Sequence, residues 1–173
     1  MRSRKALVGS SAKQYELLKV DIPAPGQGMM LCSVAAVAVN PVDAKMADYS
    51  PSPGSLGGCD FAGIVTEIGG GVTRFRKGDR VFGMAFGLNP DDKATGAFSE
   101  YALATEDLTF HIPESMTFNE AATFPVSLAT NCCALYCTMG FPMPDVPADK
   151  PFYVLVSGGA TASGLMAIQL LKL

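Results

Sequence analysis

The sequence predicts an α/β chain: a β-barrel-like domain of short strands, linking helices, and then the first strand–helix unit of a doubly wound sheet that is cut short. Three observations predict it. Short apolar runs punctuated by glycine fill the first two thirds, the pattern of a compact all-β domain. A helical stretch with a capping signature begins near Glu114. The last stretch, VLVSGGATASGLMAIQLLKL from Val154 to Leu173, turns from an apolar strand-like run through glycines into an apolar helix-like run.

The strands come in order. Tyr15–Val20 alternates, and PAPGQG follows as a loop. Met30–Val39 is a near-continuous apolar run, as a buried strand requires. Phe61–Val72 is a strand ended by the glycines at 69–71, which supply a tight turn. Lys77–Phe86 begins with the turn pair Gly78-Asp79, and Gly96–Thr105 alternates Phe98, Tyr101 and Leu103 with smaller or polar residues.

Two helical pieces divided by Pro125 come next. Thr117 and Glu120 form a capping-box spacing for the first; Ser127 starts the second, and Gly140 stops it. The Pro-rich segment Phe141–Phe152 reads as a surface connection, and Phe152–Val156 as a strand.

Composition bounds the rest. The chain has 173 residues, 49% hydrophobic and 17% charged, which describes a globular protein. A net charge of −3 offers no basic footprint for nucleic acid. The basic cluster Arg2, Arg4 and Lys5 reads as a solvated terminus, and no cleavable signal is visible. Five cysteines, scattered or adjacent, read as free buried thiols in a reducing cytosol, so a cytoplasmic location is expected. The uncharged run Pro151–Leu171 has the length of a membrane span, but Gly158, Gly159, Gly164, Ser157 and Gln169 are a poor composition for one, so no membrane partner is expected.

A phosphate cradle needs glycines, so that the backbone can approach an anion, and a helix N-terminus behind them. Gly158, Gly159 and Gly164 supply both, although Thr161 stands where a strict G-x-G-x-x-G spacing wants glycine. Leu165 occupies the lysine position of a Walker A loop. An ordinary Gly-rich turn is the competing reading. The following helix is apolar nearly all round, which requires a larger body to bury it.

Six segments in one order carry a resemblance: VNPVDAKM (39–46), GCDFAGIVTEIG (58–69), FRKGDRVFG (75–83), GAFSEYA (96–102), IPESMTFNEAATFP (112–125) and the glycine loop. Together they resemble the zinc-free, quinone-reductase-like branch of the medium-chain dehydrogenase/reductase superfamily, and within it the fungal trans-acting enoyl reductases that serve polyketide synthases. The resemblance covers essentially the whole chain, about half the length of such a protein. It implies a GroES-like substrate domain over 1–125, a linking helix and Pro-rich connection over 126–150, and the start of a Rossmann domain over 151–173.

The resemblance also implies a site. Val42, Asp43, Ala44 and Lys45 would line the nicotinamide end of an NADPH cleft, and Thr130 would contact the carboxamide. Gly159, Ala160, Thr161, Ala162 and Ser163 would take the pyrophosphate. Asn131, Cys132, Cys133, Ala134, Leu135, Tyr136, Cys137 and Thr138 would form the wall of an acyl-substrate pocket. Asp43 has a competing reading as a turn or cap residue, and Cys132, Cys133 and Leu135 as packing. Where zinc-dependent relatives carry a cysteine and a histidine–glutamate pair, this sequence has Asn40 and Cys59–Asp60, so no metal is expected and Cys59 reads as a small buried residue. His111, the only histidine, lacks an evident catalytic partner, and no residue stands out as proton donor.

The expected function is NADPH-dependent reduction of an α,β-unsaturated thioester held by a polyketide synthase carrier, with the reductase acting as a monomer. A quinone or alkenal reductase of the same branch is the runner-up, and a non-catalytic remnant is the reading from a different class.

Overall fold

The computed structural model describes residues 2–11, 13–146, 148 and 150–173. The chain divides into two compact units, Met1–Pro125 and Val126–Leu173.

The first unit is built on antiparallel strands. β1 (Ser3–Gly9) and β2 (Tyr15–Asp21) form a two-stranded sheet in the register Ala6↔Leu18. β3 (Met29–Ala38), β4 (Asp60–Ile68), β5 (Arg80–Met84), β6 (Tyr101–Thr105) and β7 (Thr109–His111) form a five-stranded sheet in the order β6-β3-β4-β5-β7. Bridges Ala6↔Ser99 and Val8↔Leu56 tie β1 to loops of the same unit. β3 is bulged between Leu31 and Cys32 and again between Val34 and Ala36, which bends it.

The long apolar runs are explained by burial on both faces. Phe61 packs with Met30, Cys32, Val65 and Val81, while its neighbour Ala62 packs with Phe82, Ile112 and Ala121 on the opposite face. The second face is covered by α2 (Phe118–Ala121). Its capping box forms as the sequence suggests: Glu120 N donates to Thr117 Oγ1 at 3.2 Å and Thr117 N to Glu120 Oε2 at 2.8 Å. α1 (Pro41–Tyr49) leads off from the end of β3.

β1 is the element sequence reading misses, and it corrects the solvated terminus. Arg2 and Lys5 are exposed, but Arg4 is 1% exposed and its guanidinium donates to the carbonyls of Tyr101 and Ala94. Those oxygens need donors once the strand alternation turns Arg4 inward, and a guanidinium satisfies two of them at once. The thiols are likewise divided. Cys32 and Cys59 are buried, Cys132 is half-buried, and Cys133 and Cys137 are exposed; all five are free.

The second unit begins in α3 (Pro125–Asn131), which starts two residues before Ser127 and passes into a π-helical segment, Cys132–Thr138. Gly140 follows with φ +67°, the left-handed conformation that ends a helix without a Cβ penalty. Within the Pro-rich connection, Pro147 and Asp149 lie outside the described residues. α4 (Ala162–Leu170) ends the unit.

The strand expected over Phe152–Val156 has no hydrogen-bonded neighbour among the described residues; Tyr153 and Leu155 stand out at 106% and 95% exposure, while Val154 and Val156 are half-buried. A parallel strand acquires its ladder only from flanking strands, and the described residues of this unit contain none.

Candidate functional site

Asn40 and Pro41 open α1 with an extended N-cap and a proline at the first helical position, where no backbone donor is lost. Asn40 N donates to Asp43 Oδ2 at 2.7 Å, so Asp43 does have the capping role. Asn40 Nδ2 reaches Asp60 Oδ2, also at 2.7 Å, and the Tyr15 hydroxyl donates to the Asp43 carbonyl at 3.0 Å. Asp43 is 3% exposed and Asp60 fully buried. Asp43 Oδ1 is itself buried and accepts no hydrogen bond.

This arrangement is electrostatically tense. Burial pushes the Cys59 thiol up to about 12, a hydrogen bond with Gly87 opposes the rise, and the Asp43 and Asp60 carboxylates add to it. Burial also raises the Tyr15 hydroxyl to about 12, with the charges of Asp43 and Cys59 adding. Both groups stay protonated at neutral pH. Val42 is half-buried and Ala44 and Lys45 are exposed. A depression of about 370 Å³ beside α1 is lined by Tyr15, Phe98, Val39, Asp43, Ala44 and Lys13.

Tyr15 and Phe98 are missed by sequence reading, since only contacts distant in sequence bring them here. A Cβ on Gly57 would lie 2.2 Å from the Tyr15 ring, so that glycine makes room for it. Among the described residues, no group of three or more His, Cys, Asp or Glu is arranged to hold a metal ion. His111 Nε2 sits 3.2 Å from the Arg74 carbonyl, and its ring packs on Phe75.

The remaining candidates lie in the second unit. Gly158 turns with φ +75°, and Thr161 caps α4 by accepting from Gly164 N at 3.1 Å while donating to the Gly158 carbonyl at 2.8 Å. A Cβ on Gly164 would lie 2.2 Å from the Gly158 oxygen, so loop and helix pack as closely as backbone allows. The first turn of α4 has no acidic residue. The helix's own first turn therefore sets no carboxylate against its free N–H groups and the positive end of its dipole, an arrangement that suits a phosphate.

Asn131 is buried, and its side-chain amide donates to the carbonyls of Ser127 at 2.8 Å and Ser163 at 2.9 Å. It joins the helical segment to the glycine turn. Leu135 is buried, consistent with packing. Thr130, Cys133, Ala134, Cys137 and Thr138 are exposed, while Cys132 and Tyr136 are half-buried. Burial raises the Cys132 thiol, and the charges of Cys133 and Cys137 add to the rise. Tyr136 alone of the wall residues lines a cavity of about 370 Å³, together with Phe141, Met143, Phe152, Val154 and Leu171. Thus Asn131 and Ser163 are brought together within the second unit, and Val42–Lys45 lie on α1 of the first.

Among the described residues, no helix is long and apolar enough to cross a membrane.

Comparison with known proteins places this geometry. Residues 26–114 match the alcohol dehydrogenase GroES-like domain. The chain is 52% identical over 170 residues to a trans-enoyl reductase of Gibberella fujikuroi, covering 98% of this chain and 49% of the relative. It is 51% identical to the trans-enoyl reductase grgB of a Penicillium species, covering 98% and 48%. The chain thus spans about half the length of the curated relatives it matches. An alcohol dehydrogenase superfamily protein from Novosphingobium aromaticivorans superposes with a TM-score of 0.80 at 27% identity, over 97% of this chain and 49% of that one. The quinone oxidoreductase of Coxiella burnetii gives 0.71 at 28% identity, over 99% and 54%. With that match spanning just over half of its residues, the chain belongs to the alcohol dehydrogenase GroES-like domain family, within the oxidoreductases of the medium-chain dehydrogenase/reductase superfamily.

Proposed function

We propose that the chain supplies the substrate domain (1–125), the linking helix and connection (126–150) and the first strand–helix unit (151–173) of an NADPH-dependent trans-acting enoyl reductase. Its substrate is an α,β-unsaturated acyl thioester on a polyketide synthase carrier; it works as a monomer in the cytoplasm. The observation that carries the reading is the glycine turn, where Gly158, Thr161 and Gly164 create a close-packed cradle in front of a helix N-terminus free of acid. Identity to two proteins named trans-enoyl reductases over nearly the whole chain supports the enoyl substrate over a quinone or alkenal.

In this reading Gly159, Ala160, Thr161, Ala162 and Ser163 hold the pyrophosphate by backbone donors, Thr130 holds the carboxamide, and Val42, Asp43, Ala44 and Lys45 border the nicotinamide. The bound cofactor supplies the hydride, and the chain's task is to orient the alkene and keep water away. Asn131 sets the spacing of wall and turn through its bonds to Ser127 and Ser163. The segment Asn131–Thr138 borders the acyl chain. Cys59, protonated at neutral pH, is a packing residue and no nucleophile.

One observation favours the remnant reading for the polypeptide as it stands: among the described residues no strand flanks Phe152–Val156, and Tyr153 and Leu155 are exposed. Titrating residues 1–173 with NADPH and adding a crotonyl-type thioester separates the two. Micromolar binding with NADPH oxidation supports the reductase in this chain. Absent binding, with activity in a polypeptide that also carries the further half found in the relatives, assigns the reaction to the longer protein. Turnover of quinones but no enoyl thioester would overturn the enoyl assignment.

A further inference from the structure

The turn between β4 and β5 reads TRFRKGDR, placing Arg74, Arg76, Lys77 and Arg80 within seven residues against a single acid, Asp79. The rest of the sequence contains nine lysines and arginines against fifteen acids, so this positive patch stands on an otherwise acidic chain. The N-terminal basic cluster is no rival, because Arg4 is buried.

The patch is built rigidly. Phe75 is buried in the main core of the unit, fixing Arg74 and Arg76 on either side of it. Gly78 takes φ +97° and donates to the Val65 carbonyl at 2.8 Å, and Val65 N returns to the Asp79 carbonyl at 3.0 Å. Asp79 Oδ2 closes the turn by accepting from Arg76 N at 2.9 Å.

Held this way, Arg76 and Lys77 keep their charge available. Arg74 donates to the carbonyls of Glu106 and Thr109 and lies over the Phe75 ring, and its charge is partly offset by the Glu106 carboxylate. The Glu106 carboxylate beside it accepts from the backbone of Thr73 and Arg74. The Arg76 side chain is 90% exposed and only 3.9 Å from Asp79 Oδ1, a long exposed pair of small worth. Lys77 is exposed. Arg80 turns away, donating to Met116 and Pro113 carbonyls over the Phe118 ring. Leu108, 46% exposed, lies between the two residues whose carbonyls Arg74 contacts, and adds an apolar anchor beside the charges.

We infer that Arg74, Arg76 and Lys77, with Leu108, form a docking surface for an acidic protein face, that of the carrier domain presenting the acyl chain. The inference rests on the trans-acting reading, in which the substrate arrives on another protein and must be captured by surface contacts. A rigid positive patch on a net-negative chain steers an acidic partner to one place and repels it elsewhere.

The test is a binding titration of the chain with an acyl-loaded carrier domain and, separately, with a polyglutamate peptide and a DNA duplex. It compares the unchanged chain with K77E, the double variant R76E/K77E, and the control K19E, an exposed lysine on β2. Thermal melts confirm that each variant folds. The expected result is carrier and polyglutamate binding that weakens about tenfold in the double variant, is little changed in K19E, and falls as salt rises. Carrier binding insensitive to the reversals overturns the docking surface and leaves the trans-acting reading standing. No carrier binding by the unchanged chain, with turnover of a small free thioester intact, overturns both. Tighter binding of the DNA duplex than of either acidic probe assigns the patch to nucleic acid and overturns the inference.

Discussion

The Asn131 amide donates to Ser163 O at 2.9 Å and to Ser127 O at 2.8 Å, so one buried side chain ties α3 to the first turn of α4. That relationship gives the helical wall and the glycine turn a common fixed point. Replacing Asn131 with Ala leaves the Ser163 carbonyl without its amide donor, at a cost of about 1–3 kcal/mol. The expected outcome is a lower urea midpoint and faster amide exchange around residues 157–165. Unchanged exchange there would mean that the contact holds nothing.

Gly164→Ala tests the close packing of loop on helix. Its Cβ would lie 2.2 Å from the Gly158 oxygen and 2.9 Å from Gly159 Cα, both backbone atoms that no rotamer change can move. The turn must open, costing about 1–3 kcal/mol by overpacking. Protection of the turn by NADPH, measured in the longest polypeptide that binds it, should fall with it. Retained cofactor protection in the alanine variant would sink the pyrophosphate assignment.

Thiol reactivity should separate the five cysteines. Cys32 and Cys59 are pushed up to about 12, chiefly by burial, so both remain thiols at pH 8, while Cys133 and Cys137 are exposed. A disulfide reagent at pH 8 should label Cys133 and Cys137 quickly, and all five only after unfolding. A raised folded value means this contribution to stability is complete below the ordinary thiol range near 8.5 and is lost as pH climbs towards 12. Rapid native labelling of Cys59 would contradict its burial beside Asp43 and Asp60.

Acid should release the Thr73–Arg74 turn. Hydrogen bonds from the Arg74 and Thr73 backbones hold the Glu106 carboxyl below its ordinary value. A lowered folded value means the contribution is present above the unfolded value, about 4.3, and lost as pH falls through the folded one. Glu106→Gln should therefore be less stable than the unchanged chain at pH 7 and equal to it near pH 3, by thermal melts. An offset that persists at pH 3 would assign the difference to packing.

Local signals in the sequence were strong wherever one face or one turn decides the conformation. The Thr117–Glu120 cap, the Gly140 stop and the glycines after β4 all depend on neighbours within a few residues. Strand β1 was hidden because its alternation includes Arg4, which reads as surface until the carbonyls of Tyr101 and Ala94 are brought to it. The Phe152–Val156 strand had the reverse problem. Its composition is right for a parallel strand, but a ladder is a property of neighbours.

The apolar runs that become β3 and β4, the Thr117–Glu120 cap and the glycine turn into an apolar helix were legible in the sequence itself, since dihedral preference, capping and apolar periodicity act over short spans. Tertiary structure alone decided that Tyr15 and Phe98 meet Asp43 in one depression and that Asn131 braces Ser163. It also decided that Arg76 and Lys77 stand out while Arg4 lies within. Those outcomes depend on which distant backbone oxygens and rings arrive at a side chain, and no local pattern encodes that.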